Sequence, residues 1–165
     1  TTGEYASAKT ETLTLTLTGC KRGSTGESCQ SLGSGSGQIV TSALEGEVGF
    51  VSGRATRKPV IGLDLRHEGA WITAECGSGL SKSLLTVEGS VIGIVSKTAV
   101  MTLEETLKFK AKAGIQEPEH FEEGVNDTLL ETLTSGTSKT TEAAGLTVTG
   151  IDKSEEPMEI KTRVV

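Results

Sequence analysis

Nucleophiles, metal ligands and titratable groups at usable spacing are few in this chain. Three cysteines stand at positions 20, 29 and 76, and two histidines at 67 and 120. Three cysteines allow three alternative single bridges. Cys20 and Cys29 flank a polar stretch, Lys21–Ser28, that reads as a loop. A Cys20–Cys29 bridge is therefore expected, closing a short loop between strand ends and stabilising by about 2–3 kcal/mol. Cys76 is then left over, either as a buried thiol or paired with a cysteine outside this chain. There is no C-x-x-C, and His67 and His120 are the only imidazoles, so no metal site is expected. A structural bridge implies an oxidising, extracytoplasmic setting.

The other arrangements that support catalysis are missing. A Ser–His–Asp site needs a histidine within reach of a nucleophile. His67 sits in a charged turn, His120 lies in an acidic loop, and no G-x-S-x-G elbow occurs. The stretch Gly33–Gly37 alternates Gly and Ser but lacks the Lys-Ser/Thr of a phosphate-binding loop, so it reads as a flexible connection. A glycosidase sets two acids across a cleft with aromatic walls. Here the acids gather in loops, as Glu104-Glu105, Glu122-Glu123 and Glu155-Glu156. Asp64, Asp127 and Asp152 stand isolated, with no D-x-D-x-D-G run for Ca²⁺. The expectation is a protein without enzymatic activity and without a cofactor. Trp71, the single tryptophan, is the candidate ligand or interface aromatic, against a plainer role packing between sheets. Glu105, an acid in an apolar row, is a candidate for an interface or a lysine partner. Asn126, in Asn126-Asp127-Thr128, is the one glycosylation sequon and the one asparagine.

These residues need elements to hold them, and composition says which kind. The chain has 165 residues, one domain's worth, with 24 Thr, 16 Ser and 21 Gly but 3% aromatics. A net charge of −6 argues against nucleic acid and anionic membrane surfaces as partners. No run of 18 apolar residues exists, so membrane insertion of a helix is not expected. The chain opens at Thr1-Thr2-Gly3 without an initiator Met, which reads as a mature product whose export signal has been removed.

Residues 10–18 alternate strictly, with Leu13, Leu15 and Leu17 on one face and threonines on the other, the pattern of a half-buried strand. Residues 21–37 read as a long loop. Strands are expected at 38–44 and 47–51, split at Glu45-Gly46, and at 59–65 and 70–76, split by the turn Arg66–Gly69. Two more fall at 84–88 and 91–95, where Gly93 suggests a bend or close backbone approach. Residues 101–114 are ambiguous. Leu103, Leu107 and Phe109 suit a strand, whereas Thr102-x-x-Glu105 and Gly114 suit a short helix at 102–113. Residues 116–124 read as an exposed acidic connection. Further strands fall at 129–134, 146–151 and 158–165. About ten short, mostly antiparallel strands predict a single all-β domain over residues 1–165, a sandwich or barrel. The segments 10–18 and 158–165 are both amphipathic strands, suited to exchange between subunits.

Several stretches taken in order resemble a family of secreted β-rich proteins of soil actinobacteria for which no activity is known. They are Leu17-Thr18-Gly19-Cys20 with Cys29, then Gly37–Thr41 and Leu44-Glu45-Gly46, then Ala74-Glu75-Cys76-Gly77. After these come Val87–Gly93, Leu107-Lys108-Phe109, residues 116–124 and Glu155–Ile160. The likeness spans about residues 3–165 and implies export and a β-rich fold. Relatives continue upstream with a further cysteine, so the resemblance implies that Cys76 has lost its partner or finds it in another subunit. Composition, end strands and resemblance lead to one expectation: a secreted structural or cell-surface protein, self-associating into oligomers or filaments by strand exchange. The alternative is an extracellular binding module for a surface glycan or another surface ligand, using Trp71 or the loop 21–37.

Overall fold

The computed structural model describes residues 2–5, 10–56, 58–98, 100–122, 124 and 126–160. Its strands are β1 (Thr2–Tyr5), β2 (Thr10–Thr14), β3 (Thr16–Thr18), β4 (Cys29–Ser31), β5 (Gln38–Val40), β6 (Leu44–Ser52) and β7 (Val60–Cys76). They continue as β8 (Ser83–Val95), β9 (Thr102–Lys112), β10 (Ile115–Glu117), β11 (Leu129–Ser135), β12 (Ser138–Ala144) and β13 (Val148–Met158). The fold is all-β. Gly79–Ser81 form a single 3₁₀ turn, and no helix among the described residues is long and apolar enough to cross a membrane.

The main sheet runs β1-β2-β6-β7-β8-β11-β12 and stays open. Strands β4, β9, β10 and β13 join it off that path, and β3 pairs β5 in a separate small sheet. Two strands are long rather than short. The expected breaks at Arg66–Gly69 and Gly89-Ser90 do not end strands, and β7 and β8 run 17 and 13 residues straight through them. Each therefore serves two neighbourhoods. The first half of β7 carries β6 on its outer edge and its last residues carry β4. Strand β8 carries β11 along its first half and β9 at its end. The breaker residues survive as irregularities in the β7–β8 register, between Arg66 and Ile72.

That irregularity decides where Trp71 goes. Ala70 pairs with Glu88 and Ile72 with Val87, so Trp71 is an extra residue on β7. One extra residue shifts the side-chain phase by one and turns Trp71 inward. The indole is 2% exposed and donates from Nε1 to the Gly89 carbonyl at 2.7 Å. Burying it contributes about 2–3 kcal/mol, and its one polar atom is satisfied. Gly89 makes this corner possible. Its φ is +116°, and a Cβ there would run into the Thr128 carbonyl.

The alternating stretch 10–18 is real but serves two sheets. It breaks at Leu15: β2 lies between β1 and β6, and β3 pairs with β5. Thr41 fastens the crossing, its Oγ1 accepting from Leu15 N and its N–H donating to Leu15 O, both at 3.0 Å. Leu13 and Leu15 join the main core with Leu44, Leu63, Leu65, Val91 and Phe109, whereas Leu17 packs on the second cluster. The other expected end strand, 158–165, lies mostly outside the described residues. Met158 ends β13, Glu159 and Ile160 lie beyond it, and 161–165 fall outside the described residues.

Residues 102–112 form a strand rather than the short helix considered for 102–113. Ladders to β13, β10 and the end of β8 satisfy their backbone, which outweighs the local capping signal. The Phe109 ring lies directly over Gly93, the close approach that glycine suggested. Glu45-Gly46 does not split its strand either: β6 runs through it, and Gly46 leaves room for the side chains of Glu11 and Leu63.

The expected Cys20–Cys29 bridge is replaced by Cys29–Cys76. Cys29 and Cys76 face each other directly in the β4–β7 register, which projects both side chains to the same face. Cys20 and Cys29 are joined through the backbone, Cys29 N donating to Cys20 O at 3.0 Å, and Cys20 keeps a partly buried free thiol. Short separation along the chain therefore does not choose the partner; strand register does. The bridge pins a small second core of Ile39 and Ala74 with Leu17, Ile72 and Leu85 around it. Such a disulfide belongs to an oxidising environment.

Candidate functional site

The first half of β7 is buried on both faces. Ile61, Leu63 and Leu65 point into the core, and Gly62 and Asp64 point the other way. An aspartate in an otherwise apolar strand has to face something, and it faces a cleft. The floor is the outer face of β6, β7 and β8, where Glu47 pairs with Asp64 and Asp64 with Ile92. The roof is the segment after β10, the stretch expected to be an exposed acidic connection. Most of its described residues are exposed, as expected, but it also folds back across the sheet. Glu122 N donates to Phe50 O at 2.8 Å, and the Glu122 carboxylate accepts from Gly53 N at 2.7 Å and Arg54 N at 3.1 Å. Phe121 lies flat on Gly49, so closely that a Cβ at Gly49 would overlap its ring.

The cleft measures about 470 Å³, and its polar lining includes Glu47, Asp64, Arg66, Ser90 and Asp127. Asp64 is 3% exposed. Its Oδ2 accepts from Arg66 Nη2 at 2.6 Å, and the same nitrogen reaches Glu47 Oε2 at 2.9 Å. Asp64 Oδ1 is buried without a hydrogen-bond partner among the described residues. Burial, then the nearby Asp127 charge, raise the Asp64 carboxyl from 3.8 to about 6 despite Arg66. Asp127 is fixed from two sides: its Oδ1 accepts from Ser90 Oγ, and its N–H donates to Glu119 O at 2.6 Å. Three carboxylates and one guanidinium thus converge on one cavity with an apolar wall of Phe121 and Ile92. Next to it is a smaller hollow of about 230 Å³, lined by Phe50, Arg54, Phe121 and Glu122.

The residues singled out from sequence lie elsewhere. Trp71 is core, so a ligand or interface role for its indole is ruled out by burial. Glu105 is 6% exposed, on the row of β9 that also carries Leu107 and Phe109, and is likewise not an exposed interface residue. Asn126 is exposed in the loop before β11, one residue from Asp127. The cysteines sit in the second core, away from the cleft-lining residues. Asp64 and Asp127, read as isolated, are brought together by the roof segment. The available signal was the same as for Glu105: a single acid inside an apolar run, Val60–Leu65. Among the described residues no group of three or more His, Cys, Asp or Glu is placed to hold a metal ion. Comparisons with protein-family models, curated proteins and solved structures find no match.

Proposed function

We propose that this is a secreted, non-enzymatic structural or cell-surface protein that self-associates through its sheet edges. The observation carrying this reading is the open main sheet, which among the described residues ends in β1 and β12, each paired on one side only. An unpaired strand edge is a row of free donors and acceptors, a template for another strand. Strand β12 exposes six of its seven residues, a polar edge bearing Lys139 and Glu142. Addition of one copy's β1 to another's β12 is head-to-tail, and such contacts build open chains rather than closed pairs. The exchange element is then β1, because β2 is already paired on both sides. The Cys29–Cys76 disulfide and the Thr/Ser-rich composition support export. Light scattering on a sizing column with negative-stain imaging tests the reading. Concentration-dependent oligomers or filaments, lost on deletion of residues 1–9 or in Thr140→Lys, are expected. A monodisperse 17.1 kDa species at high concentration refutes it.

A second reading, an extracellular binding module, is favoured by the cleft over β6–β8. In that reading the ligand meets Phe121 and Asp64, not Trp71.

A further inference from the structure

Deepening the binding-module reading and resting on it, we infer that the cleft between the roof segment and the β6–β7–β8 face is a binding site for an amino sugar, with Asp64 and Asp127 taking the ammonium group. Two independent features converge. The first is charge: Glu47, Asp64 and Asp127 oppose the single guanidinium of Arg66 among the lining residues, so the cavity favours a cation. The second is an unmet demand. Asp64 is buried, yet Oδ1 lacks a hydrogen-bond partner among the described residues. A buried carboxylate short of donors is costly, and a cation in the cleft that pairs with the Asp64 carboxylate as a whole lowers that cost.

The rest of the lining selects the kind of cation. Among the described residues no group of three or more His, Cys, Asp or Glu is placed to hold a metal ion. A ring with an apolar face and several hydroxyls fits better. The Phe121 ring offers apolar surface to the C–H face of a sugar ring. Ser90, Glu47 and Arg66 offer both acceptors and donors to hydroxyls. About 470 Å³ lies within the range of small-ligand pockets. The roof is fixed at both ends of the cleft, by Glu122 on Gly53 and Arg54 and by Asp127 on Ser90, so the walls are in place before a ligand arrives.

The test is titration of the full chain with glucosamine, glucose, N-acetylglucosamine and lysine amide, followed by NMR or calorimetry. Glucosamine is expected to bind at least tenfold more tightly than glucose or N-acetylglucosamine. Asp64→Asn and Asp127→Asn are each expected to weaken it at least tenfold, with circular dichroism and melting reporting that each variant is folded. If Asp64→Asn does not fold, Asp127→Asn and Phe121→Ala carry the test. Equal binding of glucose and glucosamine overturns the ammonium assignment but leaves a binding module. Tighter binding of lysine amide than of glucosamine overturns the sugar. Failure of all four probes overturns the proposal together with the binding-module reading.

Discussion

Reduction of the Cys29–Cys76 bridge is expected to cost about 4 kcal/mol. The bridge joins residues 47 apart in sequence. Constraining a loop of that length in the unfolded chain gives about 4 kcal/mol at 25 °C on the loop-entropy relation. A Cys20–Cys29 bridge would close only nine residues and give about 2.6 kcal/mol on the same relation. The sharper distinction lies in the single variants. Cys20 keeps a free, partly buried thiol, so Cys20→Ser is expected to change stability by less than about 1 kcal/mol. Cys76 is 1% exposed and Cys29 3%, so Cys76→Ala loses both the cross-link and buried contacts. Its cost is expected to reach about 4–5 kcal/mol. Urea unfolding of oxidised wild type, reduced wild type, Cys20→Ser and Cys76→Ala measures all four. Peptide mapping without reduction should recover the fragment containing Cys29 linked to the one containing Cys76. A Cys20–Cys29 linkage, or a Cys20→Ser variant as unstable as the reduced protein, would refute the register-based assignment.

Three further outcomes follow from the corner and the cleft. Asp64 titrates higher folded than unfolded, about 6 against 3.8, so the folded state holds the proton more tightly. The contribution of Asp64 to stability is therefore full below pH 3.8 and is lost as pH rises to about 6, by an amount of order 2 kcal/mol after allowance for water at the cleft mouth. Asp64→Asn should flatten that slope in urea melts at pH 4 and pH 7, and an unchanged slope would sink the assignment. Gly89→Ala forces a side chain at φ +116° against the Thr128 backbone, where neither partner yields cheaply. A loss of at least about 3 kcal/mol is expected by thermal or chemical melting; a near-neutral variant would refute the close approach of Gly89 to the Thr128 backbone. Trp71→Phe removes the hydrogen bond to Gly89 O, at a cost of about 2–3 kcal/mol. As the only tryptophan it also gives a direct readout: emission should be blue-shifted and insensitive to iodide until unfolding.

Alternation is the part of this fold that a sequence carries by itself. Leu13, Leu15 and Leu17 face inward and Thr12, Thr16 and Thr18 are exposed, because the two-residue period of a strand is a local property of the backbone. The all-β class follows from the same source, and so does the close approach at Gly93, which no other residue would permit. What the sequence does not contain is the choice among partners of equal local merit. Whether 10–18 is one strand or two depends on Thr41, which lies 26 residues from Leu15. Whether Trp71 faces ligand or core depends on one extra residue in the β7–β8 register, since a slip of one inverts every side chain beyond it. Whether Cys29 bonds Cys20 or Cys76 depends on which strand lies opposite it in the right phase. The cleft is the extreme case. Asp64 and Asp127 are 63 positions apart, and only the roof segment, held on the sheet by Glu122 and Phe121, brings them to one cavity. Residue type sets what each side chain can do, and long-range pairing sets what it meets, because hydrogen-bond ladders and core packing compete across the whole chain before any one contact is fixed.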